Sequence, residues 1–185
     1  MDLRAEMQID TLIRAMEHVI LPAIDPADAA AQEQGALVLA TLRLIADRLP
    51  MTYRYDRDEL ARYVTLAAAL LEALDVEDAA RRALAVAHAE GADTLARAGA
   101  EPAELLERSR VLRAHVGDLA ERVAGAGAEC DTLRRLIFTA AREQTIRERK
   151  WLEPTGFDAA AADLPSLEAQ LPAPHNKRTT PGGRP

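Results

Sequence analysis

The chain is short of cysteine, of aromatic residues and of long uncharged apolar runs. Cys130 is the single cysteine among 185 residues, which excludes an internal disulfide framework and fits a reducing compartment. Aromatic residues make up 3% of the sequence, so any core must be built from Leu, Ile, Val and close alanine contacts. No stretch approaches the roughly 18 uncharged apolar residues that span a bilayer. Asp2 and Glu6 stand where a secretory leader would be basic and then apolar, so a cytoplasmic location is expected. Basic charge is also in deficit: 23 Lys and Arg against 30 Asp and Glu give a net charge of −7, which argues against wrapping a phosphate backbone. Phosphate loops, dinucleotide fingerprints, paired CxxC and HExxH are missing too, so neither a cofactor nor a metal is expected.

What is present is helix. Ile9, Leu12, Ile13, Met16, Val19 and Ile20 recur at spacings of three and four, one apolar face of a first helix. Pro22 cannot donate a backbone hydrogen bond and pushes its predecessor out of the helical region, so this helix is expected to end near Leu21. "DPAD" then offers Asp25 as N-cap and Pro26 at the first helical position of a second helix, running to about Leu49. Gly35 in its middle is costly for a helix and points to close approach of a neighbour. "LPMTYRYDRDEL" reads as a loop in which Asp56 or Asp58 caps the third helix, with Leu60, Tyr63, Ala67 and Leu70 facing inward.

"DVED" resembles an acidic capping box that opens the fourth helix at Asp75. Gly99 and Pro102 separate it from a fifth, and Gly125 to Gly127 separate the fifth from a sixth that ends before Pro154. These breaks predict an all-α bundle of about six helices over residues 1–153. Residues 154–185 hold proline and glycine too closely spaced for long helices. One short docking turn is expected between Leu164 and Leu171, and disorder over the last ten or so residues. Lys177, Arg178 and Arg184 make that end a weakly basic arm, too sparse to bind nucleic acid.

Candidate chemistry is thin. His88 in "AHAEG" has Glu90 two and Asp93 five residues on, whereas groups sharing one helical face stand three or four apart. It lines up with Leu84 and Leu95 as a core or seam histidine, with a place in an interhelical pocket as the alternative. His115 borders a core face and has Asp118 in pairing reach. With an arginine of the sixth helix, Arg142, these two histidines are the candidate lining of a ligand pocket. Arg147 reads as the partner of Glu143 on a solvated face. Cys130, between Glu129 and Asp131, reads as core filler rather than nucleophile.

Tyr53, Arg54, Tyr55, Arg57 and Tyr63 gather every tyrosine of the chain into eleven residues, the residue types that carry interface energy. They are the candidate contact surface of a homo-oligomer or of a protein partner.

The stretch "LIRAMEHVILPAIDPADAAAQEQGALVLATLRLIADRL" resembles small helical bacterial proteins encoded beside aminoglycoside-phosphotransferase-like kinases and acyl-CoA-dehydrogenase-like flavoproteins. The shared features are a first helix ending in a leucine–proline step and a second rich in Ala and Leu. The resemblance covers about a fifth of the chain and brings no active-site residue. It implies an accessory to such enzymes in small-molecule catabolism. Two functions therefore stand: a non-catalytic helical accessory protein acting through protein contacts, and a small-molecule-binding bundle or enzyme with an interhelical pocket.

Overall fold

Between residues 4 and 172, the part of the chain that the computed structural model describes, every regular element is a helix. Six long helical stretches form the bundle, as the apolar spacing predicts. The first is α1, Ala5–Ala15, which passes without a break into a π-helical turn, Met16–Ile20, and a short α2, Leu21–Ala23. Pro22 therefore lies inside the helix, not beyond it. Its missing N–H would strand a carbonyl of the preceding turn. The wider turn absorbs the defect, with the Leu21 N–H reaching back five residues to the Met16 carbonyl.

The corner comes at Ile24, where the backbone turns extended. Asp25 does not cap the next helix; it accepts from the Ala27 N–H inside the turn. The cap is Asp28, which accepts from the Ala31 N–H at 3.0 Å, and α3 runs Ala29–Arg48. α3 returns antiparallel to α1. Gly35 is the seat of this pairing: a Cβ there would lie 2.6 Å from Leu21 Cδ2 and 3.1 Å from Ile24 Cδ1.

A 3-10 turn, Leu49–Met51, leads directly into α4, Thr52–Ala73. The expected loop at "MTYRYDRDEL" is thus helix, since nothing after Pro50 breaks one. Asp56 and Asp58 are interior residues of α4 rather than caps, and Asp56 is buried. α5, Ala79–Ala96, is capped by Asp78 through the Arg81 N–H at 2.8 Å, three residues later than the expected Asp75. α6 spans Pro102–Ala124, and a 3-10 turn at Ala128–Cys130 leads into α7, Asp131–Leu152.

α4, α5 and α6 pack as a trio around Leu60, Ala67, Leu70, Leu105 and Leu112, all at 0% exposure. Gly91 lets α5 close on this core: a Cβ there would meet Val64 Cγ2 at 2.9 Å and Leu112 Cδ1 at 3.2 Å. α7 lies against α4 and α6.

After α7 the chain folds back in short turns, Glu153–Thr155 and Ala159–Asp163, and ends in α8, Leu167–Gln170, within the predicted docking segment. Leu167 and Leu171 are buried with Tyr55 against Met51 and Trp151. The Lys150 ammonium donates to the Ala161 carbonyl at 3.2 Å. Residues 154–172 are thus packed on the body. The expected disorder of the last ten or so residues, and the basic arm of Lys177, Arg178 and Arg184, lie outside the described residues.

Candidate functional site

Two surfaces of the bundle are unfinished. The first is a groove of 910 Å³ where α7 leans away from α4 and α6. Small residues leave it open: Ala61, Ala69, Gly117, Ala120 and Ala140 line it, and a Cβ on Gly117 would meet nothing within 4 Å. Leu66, Val116, Leu136 and Ile137 make its floor apolar, while Arg62, Tyr63, Arg113 and Gln144 lie at one end and Thr132 and Arg135 at the other.

The polar end grows out of a buried network. Glu59, buried on α4, accepts from the Arg113 guanidinium and from Gln144 Nε2 at 3.0 Å. Arg113 also donates through Nε to the Tyr63 hydroxyl at 3.0 Å. Arg147 is 1% exposed. Its Nη1 donates to Gln144 Oε1 at 3.1 Å, and its carbon centre lies 4.5 Å from the Tyr55 ring centroid. Nη2 is 2.8 Å from Asp58 Oδ2 but poorly aimed, so the pair is ionic without a hydrogen bond, and Nε has no partner among the described residues.

This corrects the surface pairing expected for Arg147: Glu143 instead meets Arg62 at 3.4 Å, and Arg62 Nε donates to Asp58 at 2.9 Å. Burial pushes the Tyr55 phenol up to about 12 and raises the Asp56 carboxyl above its ordinary value, with nearby Glu59 adding to the second shift. Glu59 and Asp58 are bound by guanidinium groups, buried Asp56 has no ion-pair partner among the described residues, and no thiol or imidazole joins the network. Among the described residues no group of three or more His, Cys, Asp or Glu is placed to hold a metal ion.

His88, His115 and Arg142 do not line the groove. The ion pairs Glu90–Arg108 and Asp78–Arg122 fix the register of α5 on α6. That register sets His115 level with Leu84, about one helical turn from His88. Both histidines are half-buried and Arg142 is exposed on α7. Cys130 is half-buried against the core.

Most of the Tyr/Arg cluster acts as internal staples. Tyr53 donates to the Ala100 carbonyl at 3.2 Å, Arg57 to the carbonyls of Leu95 and Arg97, and Arg54 to that of Pro172 at 2.7 Å. Tyr55 stacks on Trp151 with centroids 4.2 Å apart. Only Tyr63 of this cluster lines the groove. Glu59, Gln144 and Arg113 were not marked as site residues by the sequence. The available signal was the four-residue row of Tyr55, Glu59 and Tyr63 down α4, which places a carboxylate between two tyrosines on one face.

No family model matches the chain, and neither the curated proteins nor the solved structures contain a match to it.

The second unfinished surface is the hairpin of α1–α2 and α3. It meets the body chiefly at the C-terminal end of α3, where Arg48 donates to the carbonyls of Trp151 and Lys150, both at 2.9 Å. Counting about 3.6 residues per turn, Gln34, Val38, Thr41 and Ile45 fall in one row down α3. Gln8, Leu12 and Ala15 fall in a matching row down α1, and exposed Val19 stands in the π-helical turn that continues it. Both rows lie on the side of the hairpin opposite the Glu17–Arg43 ion pair, and neither contains a charged residue. The Thr41 hydroxyl donates to the Leu37 carbonyl of its own helix at 2.9 Å. Leu12 is 53%, Val19 65%, Val38 46% and Ile45 42% exposed, so large aliphatic groups stand in water along the whole length.

Proposed function

We propose that the protein is a non-catalytic helical accessory protein of the cytoplasm, acting through protein–protein contacts. The observation that carries this reading is the uncharged apolar face of the hairpin, since contiguous exposed apolar surface on a water-soluble domain marks an interaction site. The polar network supports it: catalysis requires a base and a nucleophile free to meet a substrate, and here Glu59 and Asp58 are held by arginines. The N-terminal resemblance makes a kinase-like or acyl-CoA-dehydrogenase-like enzyme the first partner to test.

Capture from native-host lysate with the tagged chain, read by mass spectrometry, is expected to recover one such enzyme in near-stoichiometric amount. The 910 Å³ groove favours a second reading, the binding of a small molecule between α4, α6 and α7. A library compound that raises the melting temperature of the wild type but not of Ala140→Trp, with no enzyme captured, would replace the first reading by the second.

A further inference from the structure

We infer that the uncharged face of the α1–α3 hairpin packs against the same face of a second copy, closing four helices into one antiparallel bundle. The inference rests on the reading that this protein works through contacts, and names the first of them. Two helices alone cannot bury their apolar stripes: α1 holds no buried residue, and α3 holds only Gly35 and Arg48. The exposed row of α3 repeats at i, i+4, i+7 and i+11 and that of α1 at i, i+4 and i+7, the spacing of helices that pack about 20° off antiparallel in four-helix bundles. Leu12 on α1, Val19 in the π-helical turn after it, and Val38 and Ile45 on α3 supply the large groups, with Ala15 and Thr41 as the smaller steps between them.

Charge selects the occupant. The chain carries a net charge of −7, so most approaches of one copy to another meet like charge. A two-fold contact sets each patch against itself, and this face has no formal charge to repel its own image. Its size is adequate. A 20-residue helix is about 30 Å long, and two helices side by side are roughly 20 Å across, or about 600 Å² in projection. That approaches the roughly 800 Å² per partner of a stable interface.

Sedimentation velocity at tens of micromolar tests this. The wild type is expected to run as a dimer. Val38→Glu combined with Ile45→Glu is expected to halve the mass with the helical circular dichroism unchanged, because both side chains already stand in water in a single copy. Phe138→Glu, which alters an apolar group 72% exposed on α7, is expected to leave the dimer intact. A monomeric wild type would overturn the inference and leave the face to another protein's helices. A dimer that survives Val38→Glu with Ile45→Glu, or one lost in Phe138→Glu, would overturn it equally. A monomer that still captures an enzyme removes the self-pairing and keeps the accessory role; a dimer that captures none does the reverse.

Discussion

The hairpin and the α4–α5–α6 trio are built from similar residues, alanine and leucine at helical spacing, yet they end differently. In the trio each helix has at least two neighbours, so Leu60, Leu70, Leu105 and Leu112 vanish from solvent. In the hairpin each helix has one neighbour, and Leu12, Val19, Val38 and Ile45 stay half or more than a third exposed. Composition decides that a segment is an amphipathic helix. The number of helices around it decides whether its apolar stripe becomes core or surface.

The sharpest way to break this comparison lies at the trio's edge. Arg147→Met takes from Asp58 one of its two arginines, leaving it Arg62, and unpairs the Gln144 side-chain oxygen inside the fold, and is expected to cost about 3 kcal/mol. Adding Asp58→Asn should restore part of that loss in denaturant titration. A result below about 1 kcal/mol for the single variant would mean that the cation is not held in a dry interior.

Next in size is the direct contrast. Leu112→Ala, at a position with no exposure, is expected to destabilise by about 2–5 kcal/mol, whereas Val38→Ala should stay within about 1 kcal/mol in the isolated monomer. Comparable losses at the two sites would erase the distinction between core and surface stripes.

The smallest effect has the opposite sign. The Asp56 carboxyl is raised by burial and by Glu59, so the folded state disfavours its ionised form. This group favours folding below its unfolded value and loses that contribution as pH rises through the folded one. Asp56→Asn should therefore stabilise the protein near pH 7, and the gain should fade toward acid pH, where the native carboxyl is already neutral. A gain that is independent of pH would show that the charge is not its source.

The six helices were legible because spacing at three and four survives any tertiary arrangement. Their starts were less so, and two of the three errors share a cause. Both "DPAD" and "DVED" present two aspartates three residues apart, and in both the second, Asp28 or Asp78, caps the helix. A cap must stand immediately before the first helical residue, and neither composition nor spacing tells which aspartate does. Asp25 is the helpful case, for its side chain serves the preceding turn instead.

The groove was illegible for a different reason. Arg147 has a plausible partner four residues away in Glu143, so local spacing is satisfied. Its true partner, Asp58, lies on another helix, and nothing in either segment announces the other. The histidines drew attention because of their chemistry. The arrangement of α4, α6 and α7 gives the polar end of the groove to arginine, tyrosine and glutamine instead.

Arg48 has a mechanical consequence. Its guanidinium grips the carbonyls of Lys150 and Trp151 at the end of α7, so the hairpin is clamped at its base, while the corner at Ile24 stands at the far end of α3. That makes α1–α3 an arm held at one end, by this side chain, by the Glu153–Thr155 turn and by the Leu49–Met51 link into α4. With an arm of about 30 Å, a tilt of roughly 10° carries the tip through ~5 Å. The same tilt barely displaces residues beside the base, so a contact made at the tip has a moment arm that a contact beside Arg48 lacks.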